Sequence, residues 1–259
     1  MRIATVGDNC IDYYQNLDQG FPGGNPVNVA VYLKRLGVSS SYVGVIGNDR
    51  YGKILKEALA SKGVDLTHLY EKEGKTAVTQ VELVDGERVF GDYDEGVLKD
   101  FKLTEEDLEF LASHDLVVSG IWGKVEDRMV DLKSRGCRIA FDFATKLEDP
   151  VKEVAIPHVD YAFFAADEDT PELRNFMEIE QRKGPKMVIV TLGEQGSIAY
   201  DGQFHRFGIV PCEVVDSMGA GDSYIAGFLK ALLEGQTIEE CMKKGAENSS
   251  VTLGYTGAW

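Results

Sequence analysis

Apolar positions along the chain change period repeatedly, and the changes divide it into elements. Residues 2–7 are a short apolar run with the character of a strand. After a tyrosine-containing segment, GGNPVNVAVYLKRLG takes up helical spacing. Asn25 stands where a side-chain cap belongs, Pro26 falls in the first turn, where no donor is lost, and Gly37 lies just past the end. YVGVIG at residues 42–47 returns to a strand, and YGKILKEALASKG to a helix ending at Gly63. The order so far is strand, helix, strand, helix.

Residues 76–93, TAVTQVELVDGERVFGDY, interrupt that order: β-branched residues flank Asp85-Gly86, the dipeptide that favours a type I′ hairpin turn. This stretch predicts an antiparallel ribbon. Beyond it Thr104 occupies the capping position of TEEDLEFLAS. LVVSGIWG, RIAFDFA, DYAFFA, KMVIVTLG and SIAYDG read as strands, the last with a second Asp-Gly turn at 201–202, and helical runs at 220–235 and 237–251 close the chain. Alternation of this kind predicts an α/β fold, a doubly wound and mostly parallel sheet with helices on both faces, whose ligands bind outside the carboxyl ends of the strands. The ribbon does not belong in such a sheet. Its simplest place is a small β lid over the ligand edge, formed from about 12–22 and 76–93 within a single domain spanning 1–259. No linker, low-complexity tract or repeat divides the chain.

Composition narrows the classes. With 259 residues, 44% of them hydrophobic, the chain can bury a large core without disulfide or metal staples. Its 43 acidic against 27 basic residues give a net charge of −16, which opposes attraction to nucleic acid or to an anionic membrane. Any phosphate must therefore be held locally. The four cysteines are scattered, with no C-x-x-C pair, and no histidine stands at metal-ligand spacing. The start lacks a basic region followed by a long apolar one, and no apolar run reaches the length of a membrane span. Reduced thiols and a cytoplasmic location are expected.

The densest chemistry lies in DSMGAGDSYIAGF, residues 216–228. Val214 and Val215 read as the end of a strand, Gly219 to Gly221 as a turn, and Ser223 onwards as a helix. That arrangement aims unpaired N–H groups and the positive end of a helix dipole at one point, a site for an anion. Taken alone, G-A-G reads better as a flexible strand-to-helix connection. Asp222 alters the balance. Two negative groups at one helix end make sense if one is a transferring phosphoryl and the other accepts the proton of the attacking hydroxyl. Such an aspartate is expected to have a low pKa, and in a loose transition state its orientation matters more than its basicity. P-loop, G-x-G-x-x-G and protein-kinase signatures are missing. A glycosidase using Asp12 and Asp222 as paired acids would leave the turn unexplained.

GGNPVNVA, residues 23–30, resembles the N-terminal signature G-G-x-x-x-N-x-A of ribokinase-like (PfkB) carbohydrate kinases, and DSMGAGDSYIAGF resembles their C-terminal signature D-T-x-G-A-G-D-x-F. TLGEQGS, residues 191–197, resembles the nucleotide-binding turn of the same family. The resemblance spans essentially the whole chain. It implies a ribokinase-like fold and ATP-dependent phosphorylation of a sugar alcohol, with Mg²⁺ bridging the phosphates. It makes Asp222 the base and assigns Gly219, Ala220 and Gly221 to the anion hole. Asp12, Gly24 and Asn28 match positions that hold sugar hydroxyls, and Thr191, Gly193 and Gly196 the nucleotide turn. An ionised carboxylate offers only acceptors, which suits Asp12 to clamping hydroxyls; its plain alternative is a solvent-facing turn residue.

Several positions depart from the family pattern. Its N-x-x-E stretch falls on residues 165–168, where only Glu168 remains, so Mg²⁺ is expected to be held mainly by phosphates and water. Ser217 replaces a threonine. Relatives usually continue past Trp259, which counts against a monovalent-cation site there, although K⁺ stays among the cofactors the resemblance allows.

GDNCIDYY at 7–14, RVFGDYDEGV at 88–97, IWG at 121–123 and the final GAW resemble the fructosamine-phosphorylating members of the family. This implies transfer to the C6 hydroxyl of a fructosamine formed between glucose and lysine. The run Asp92-Tyr93-Asp94-Glu95 is then either a neighbour for the substrate's cationic amine or a solvated charge run. Arg88 either binds a carboxylate or hydroxyl of the substrate or is an exposed hairpin residue. Trp122 either stacks on the sugar or is a buried aromatic. The competing readings are a fructokinase or ribokinase acting on a free sugar, and a non-catalytic sugar or nucleotide sensor, against which the presence of Asp222 counts. Open ribbon edges and apolar residues such as Val81 and Val89 predict a homodimer formed through the lids.

Overall fold

A computed structural model describes the backbone of residues 1–84 and 87–259, and the side chains of all of these except Leu17, 83, 84 and 87–90. The strands, in chain order, are β1 Arg2–Val6, β2 Cys10–Tyr14, β3 Gln19–Gly23, β4 Ser39–Gly47, β5 Leu69–Lys72, β6 Val78–Val84, β7 Glu87–Asp94, β8 Leu116–Gly120, β9 Ile139–Asp142, β10 Tyr161–Ala165, β11 Met187–Thr191, β12 Ser197–Tyr200 and β13 Phe204–Phe207. The helices are α1 Asn25–Arg35, α2 Arg50–Ser61, α3 Glu105–Ala112, α4 Met129–Ser134, α5 Pro150–Ala155, α6 Pro171–Lys183, α7 Ala220–Leu233 and α8 Ile238–Leu253.

Nine strands form the main sheet in the order β13-β12-β11-β10-β9-β8-β1-β4-β5. It is parallel from β5 to β11, with β12 and β13 antiparallel at one edge. Strand alternation sorts its side chains to two faces. Ile3, Leu116, Val118 and Ile189 pack beneath α1, α7 and α8, whereas Ala4, Val6, Val117, Val188 and Val190 pack with residues of α3 to α6. The chain runs outward from β1 in both directions along the sheet, to β4 on one side and to β8 on the other. That switch of direction opens a crevice at the carboxyl ends of the strands.

The remaining four strands form a separate sheet, β3-β2-β6-β7, the small lid. Its first two strands run from Cys10 to Gly23, slightly beyond the expected 12–22. The Asp85-Gly86 turn and the side chains of Arg88 and Val89 lie outside the described residues. Val81, on lid strand β6 and expected to be exposed, is fully buried, so it offers no apolar surface to a partner.

The capping box at Thr104 is present: its hydroxyl accepts from Asp107 N at 3.1 Å and Asp107 Oδ2 accepts from Thr104 N at 2.9 Å. Two other expectations change. Gly24, not Asn25, caps α1, because the Asn25 side chain is used elsewhere. Val214 and Val215 are exposed and irregular rather than the end of a strand; Val215 N donates to Leu253 O instead of to a sheet neighbour. Edge strand β5, hydrogen-bonded along β4, carries too few apolar residues to be read from the sequence.

Candidate active site

Asp222 lies in the first turn of α7, directly after the Gly219–Gly221 turn. Its two carboxylate oxygens are held separately: Asn25 Nδ2 donates to Oδ1 at 2.6 Å and Asn28 Nδ2 donates to Oδ2 at 2.7 Å. The i, i+3 spacing of these asparagines places both amides on one face of α1. Asn25 Nδ2 also donates to Asp142 Oδ2 at 2.8 Å, at the end of β9. Asp8, just past β1, is buried and accepts from Asn25 N at 3.3 Å.

Four carboxylates therefore converge where β1, β9, α7 and lid strand β2 meet, with few cations among them. Burial, followed by the charge of Asp142, pushes Asp222 up to about 8. Burial alone outweighs a backbone hydrogen bond at Asp142, which rises to about 6. Burial first, and then the charges of Asp142 and Asp12, takes Asp8 to about 7. The low pKa expected for Asp222 is thus corrected: burial, with the neighbouring charge of Asp142, outweighs the two amide donors. A proton acceptor poised near neutral pH suits general base chemistry better than a strongly acidic carboxyl. Acceptors outnumber donors around this point, and a ligand rich in hydroxyl groups would correct the imbalance.

The turn before Asp222 begins with Asp216, whose Oδ1 accepts from Met218 N at 2.8 Å. Gly219 has φ +72°, and a side chain there would collide with the Tyr32 hydroxyl. At Gly221 the reverse holds: a Cβ would meet nothing within 4 Å. The fold does not need that glycine, but an approaching anion would. Ala220 N is committed to Ser217 O at 3.2 Å, which removes it from the expected anion hole. Among the described residues the N–H groups of Gly219, Gly221 and Asp222 have no acceptor in the chain, leaving three donors at the start of a 14-residue helix.

Asp12 is buried on β2 and receives Cys10 Sγ at 3.4 Å. Register aligns Phe21, Asp12, Thr79 and Tyr93 across β3, β2, β6 and β7 as one cross-strand row. Burial raises the Tyr93 hydroxyl well above its usual range, and the charges of Asp8, Cys10, Glu95 and Asp12 add to the shift. The lid face that carries Tyr93 and Asp12 thus looks onto Asp8 in the crevice. Gly24 joins them: at φ +110°, its missing Cβ would lie 2.7 Å from Asn9 Cα.

The other expected positions are dispersed around this centre. Gly193 and Gly196 form a tight turn after β11, both with positive φ, and Thr191 ends that strand. Tyr224 of α7 ties this turn to the Asp222 helix by donating to Ser197 Oγ at 2.8 Å. Glu168 is exposed beyond β10, and no group of three or more His, Cys, Asp or Glu among the described residues is arranged to hold a metal. Asp92 is exposed on β7; Asp94 Oδ1 accepts from Gly96 N, and Glu95 pairs with Lys124 at 2.7 Å. Trp122 is 44% exposed beyond β8, which excludes the buried alternative.

Sequence reading missed Asp8, Asn25 and Asp142 as site residues. The two aspartates had a usable signal, a lone acidic residue at or just beyond the carboxyl end of an apolar strand. Asn25 was hidden by its plausible capping position.

The sequence profile described as pfkB family carbohydrate kinase matches residues 10–259. The chain belongs to the pfkB family of carbohydrate kinases. Among its relatives, this pfkB kinase is 48% identical over 258 residues to the fructoselysine 6-kinase of Shigella flexneri, covering 99% of each chain. It is 35% identical over 266 residues to a fructosamine kinase of Bacillus subtilis (strain 168), covering 100% of this chain and 93% of the other. The structure of Arabidopsis thaliana ribokinase complexed with ribose and ATP superposes with a TM-score of 0.89 at 23% identity, covering 99% of this chain and 93% of that one. The last comparison establishes the ribokinase-like fold.

Proposed function

We propose that this kinase transfers the γ-phosphoryl of ATP to the C6 hydroxyl of fructoselysine, a fructosamine. The observation that carries the reading is the end-to-end 48% identity to a fructoselysine 6-kinase, together with an Asp222 carboxylate held by two amides beside unpaired N–H groups. In this reading the C6 oxygen attacks the γ-phosphorus, the bond from that phosphorus to the β–γ bridging oxygen breaks, and ADP leaves. The hydroxyl proton passes to Asp222. The N–H groups of Gly219, Gly221 and Asp222 receive the transferring oxygens.

Asp12, Asn28 and the backbone at Gly24 hold the sugar. Asp92 and Arg88 lie on the lid strand nearest the substrate's lysine portion, where Asp92 is a counter-charge for its amine. Thr191, Gly193 and Gly196 border the nucleotide. Glu168 would help to hold Mg²⁺ through water, where the ion would neutralise charge on the phosphates. K⁺ is a further candidate cofactor. Among the described residues no helix is long and apolar enough to cross a membrane, which agrees with a cytoplasmic enzyme. The open edges of β3 and β7 support a homodimer through the lids, now without help from Val81.

Turnover measured side by side on fructoselysine, fructose and ribose tests the assignment. Preference in kcat/KM for fructoselysine is expected. Equal or better use of free fructose or ribose would make it a free-sugar kinase, and binding of sugar and ATP without ADP release would make it a sensor.

A further inference from the structure

Asn28 is held at both ends. While its Nδ2 donates to Asp222 Oδ2 at 2.7 Å, its Oδ1 accepts from the indole Nε1 of Trp259 at 2.8 Å. We infer that Trp259 is a positioning residue for phosphoryl transfer, fixing the Asn28 amide so that N–H groups alone face Asp222 and the sugar. The inference rests on the reading of Asp222 as the base.

An amide side chain can turn over at little intrinsic cost, exchanging its donor and acceptor ends. An indole N–H can only donate. With Trp259 in place, a turned Asn28 would set its NH₂ against the indole N–H and its carbonyl against the Asp222 carboxylate, two mismatches in a site where Asn28 is 4% exposed. The held amide has a second N–H in addition to the one engaged by Asp222. That donor is available to a sugar oxygen.

The segment carrying Trp259 is anchored to the catalytic turn. Gly257 N donates to Asp216 Oδ2 at 2.8 Å, while Oδ1 of the same carboxylate accepts from Met218 N at the entrance to the Gly219 turn. The Tyr32 hydroxyl of α1 donates to the Ala258 carbonyl, and Tyr255 donates to it at 3.1 Å. The indole ring packs against the cluster containing Val27 and Val31, and Lys62 Nζ lies 5.7 Å from its centre. Residues 257–259 thus connect α1, which supplies both asparagines, with the turn that supplies the anion site.

A double-mutant cycle of Trp259→Phe and Asn28→Ala tests the inference, because phenylalanine keeps an aromatic ring while losing the donor. Steady-state turnover is measured on whichever sugar the wild type uses best, so a failed fructosamine assignment leaves the cycle readable. Trp259→Phe is expected to lower kcat about tenfold, the worth of one buried hydrogen bond, with KM for ATP unchanged. Asn28→Ala is expected to lower it further, and adding Trp259→Phe to that variant should change kcat by less than about twofold. Multiplying effects, or a Trp259→Phe enzyme within about twofold of wild type, would overturn the inference. Hydrogen exchange at the Trp259 indole N–H gives a readout independent of activity. It should be slow in the wild type and fast in Asn28→Ala; continued slow exchange in that variant would also overturn the inference. Turnover of Asp222→Asn tests the base assignment separately.

Discussion

Asp142 and Asp222, eighty residues apart in sequence, share one donor: the Asn25 amide nitrogen lies 2.8 Å from the first and 2.6 Å from the second. Asp222 therefore feels the charge of Asp142 across a single buried amide. Asp222 rises to about 8 through burial first and Asp142 second. Since the ionised form accepts the proton, kcat/KM for the sugar should climb with pH through neutrality and level off above about 8. Asp142→Asn removes the neighbouring charge and should move the midpoint down by about one pH unit. A pH profile of kcat/KM measures both, and an unmoved midpoint would mean that Asp142 does not set the acidity of Asp222.

The same crowding has a stability signature with a definite sign. Asp8, Asp142 and Asp222 all have folded-state values above those of an unfolded aspartate. Their favourable contribution is complete below about pH 4 and is lost as pH rises through about 6, 7 and 8. The empty protein should therefore show a smaller drop in Tm across this window when Asp142 is replaced by asparagine. Asp107 and Asp160 are held low by hydrogen bonds that outweigh their burial, and their contribution is lost on the acid side instead. Calorimetry at pH 5, 6, 7 and 8 separates the two groups; a slope unchanged by Asp142→Asn would contradict the burial argument.

Gly219 and Gly221 look equivalent in the sequence but should fail differently. At Gly219 alanine would have to adopt φ +72° and would meet the Tyr32 hydroxyl, so Gly219→Ala should destabilise the fold by about 1–3 kcal/mol. At Gly221 there is room for a methyl group, so Gly221→Ala should leave Tm nearly unchanged. That methyl would occupy space beside the free N–H groups, and turnover should fall about tenfold or more. Thermal melts paired with kinase assays decide this, and the opposite pattern would remove Gly221 from the anion site.

Much of the fold was legible because the main strands are apolar throughout and separated by capped, amphipathic helices. The lid strands followed from Asp85-Gly86 and the β-branched residues around it, Gly219, Asp222 and Asn28 from two short motifs, and Asp12 from the position it matches in the family. What sequence could not reveal was the meeting of elements. Asp8 and Asp142 become part of the site only when β1 and β9 end beside α7, and the Asp222 pKa depends on that meeting. Asn25 and Val214 misled for a related reason: local propensity described a cap and a strand, while tertiary contacts gave the first a different task and left the second without a sheet neighbour. Trp259 acquires its bond to Asn28 through a fold-back across 231 residues, which no local signal records.

Asp222→Asn separates charge from shape at the reacting centre. Asparagine fits the same volume but cannot take a proton from the attacking hydroxyl, and one of its ends must face an Asn25 or Asn28 N–H with a donor. Turnover should fall about 10²- to 10⁴-fold. Binding of ATP should persist and even tighten, because a negative group beside the free N–H groups of Gly219 and Gly221 has been removed from the neighbourhood of the phosphates. Calorimetric titration with ATP, run beside a kinase assay, reads both consequences. Near-normal turnover would show that another group accepts the proton, and weakened ATP binding would show that the carboxylate supports the nucleotide rather than the acceptor.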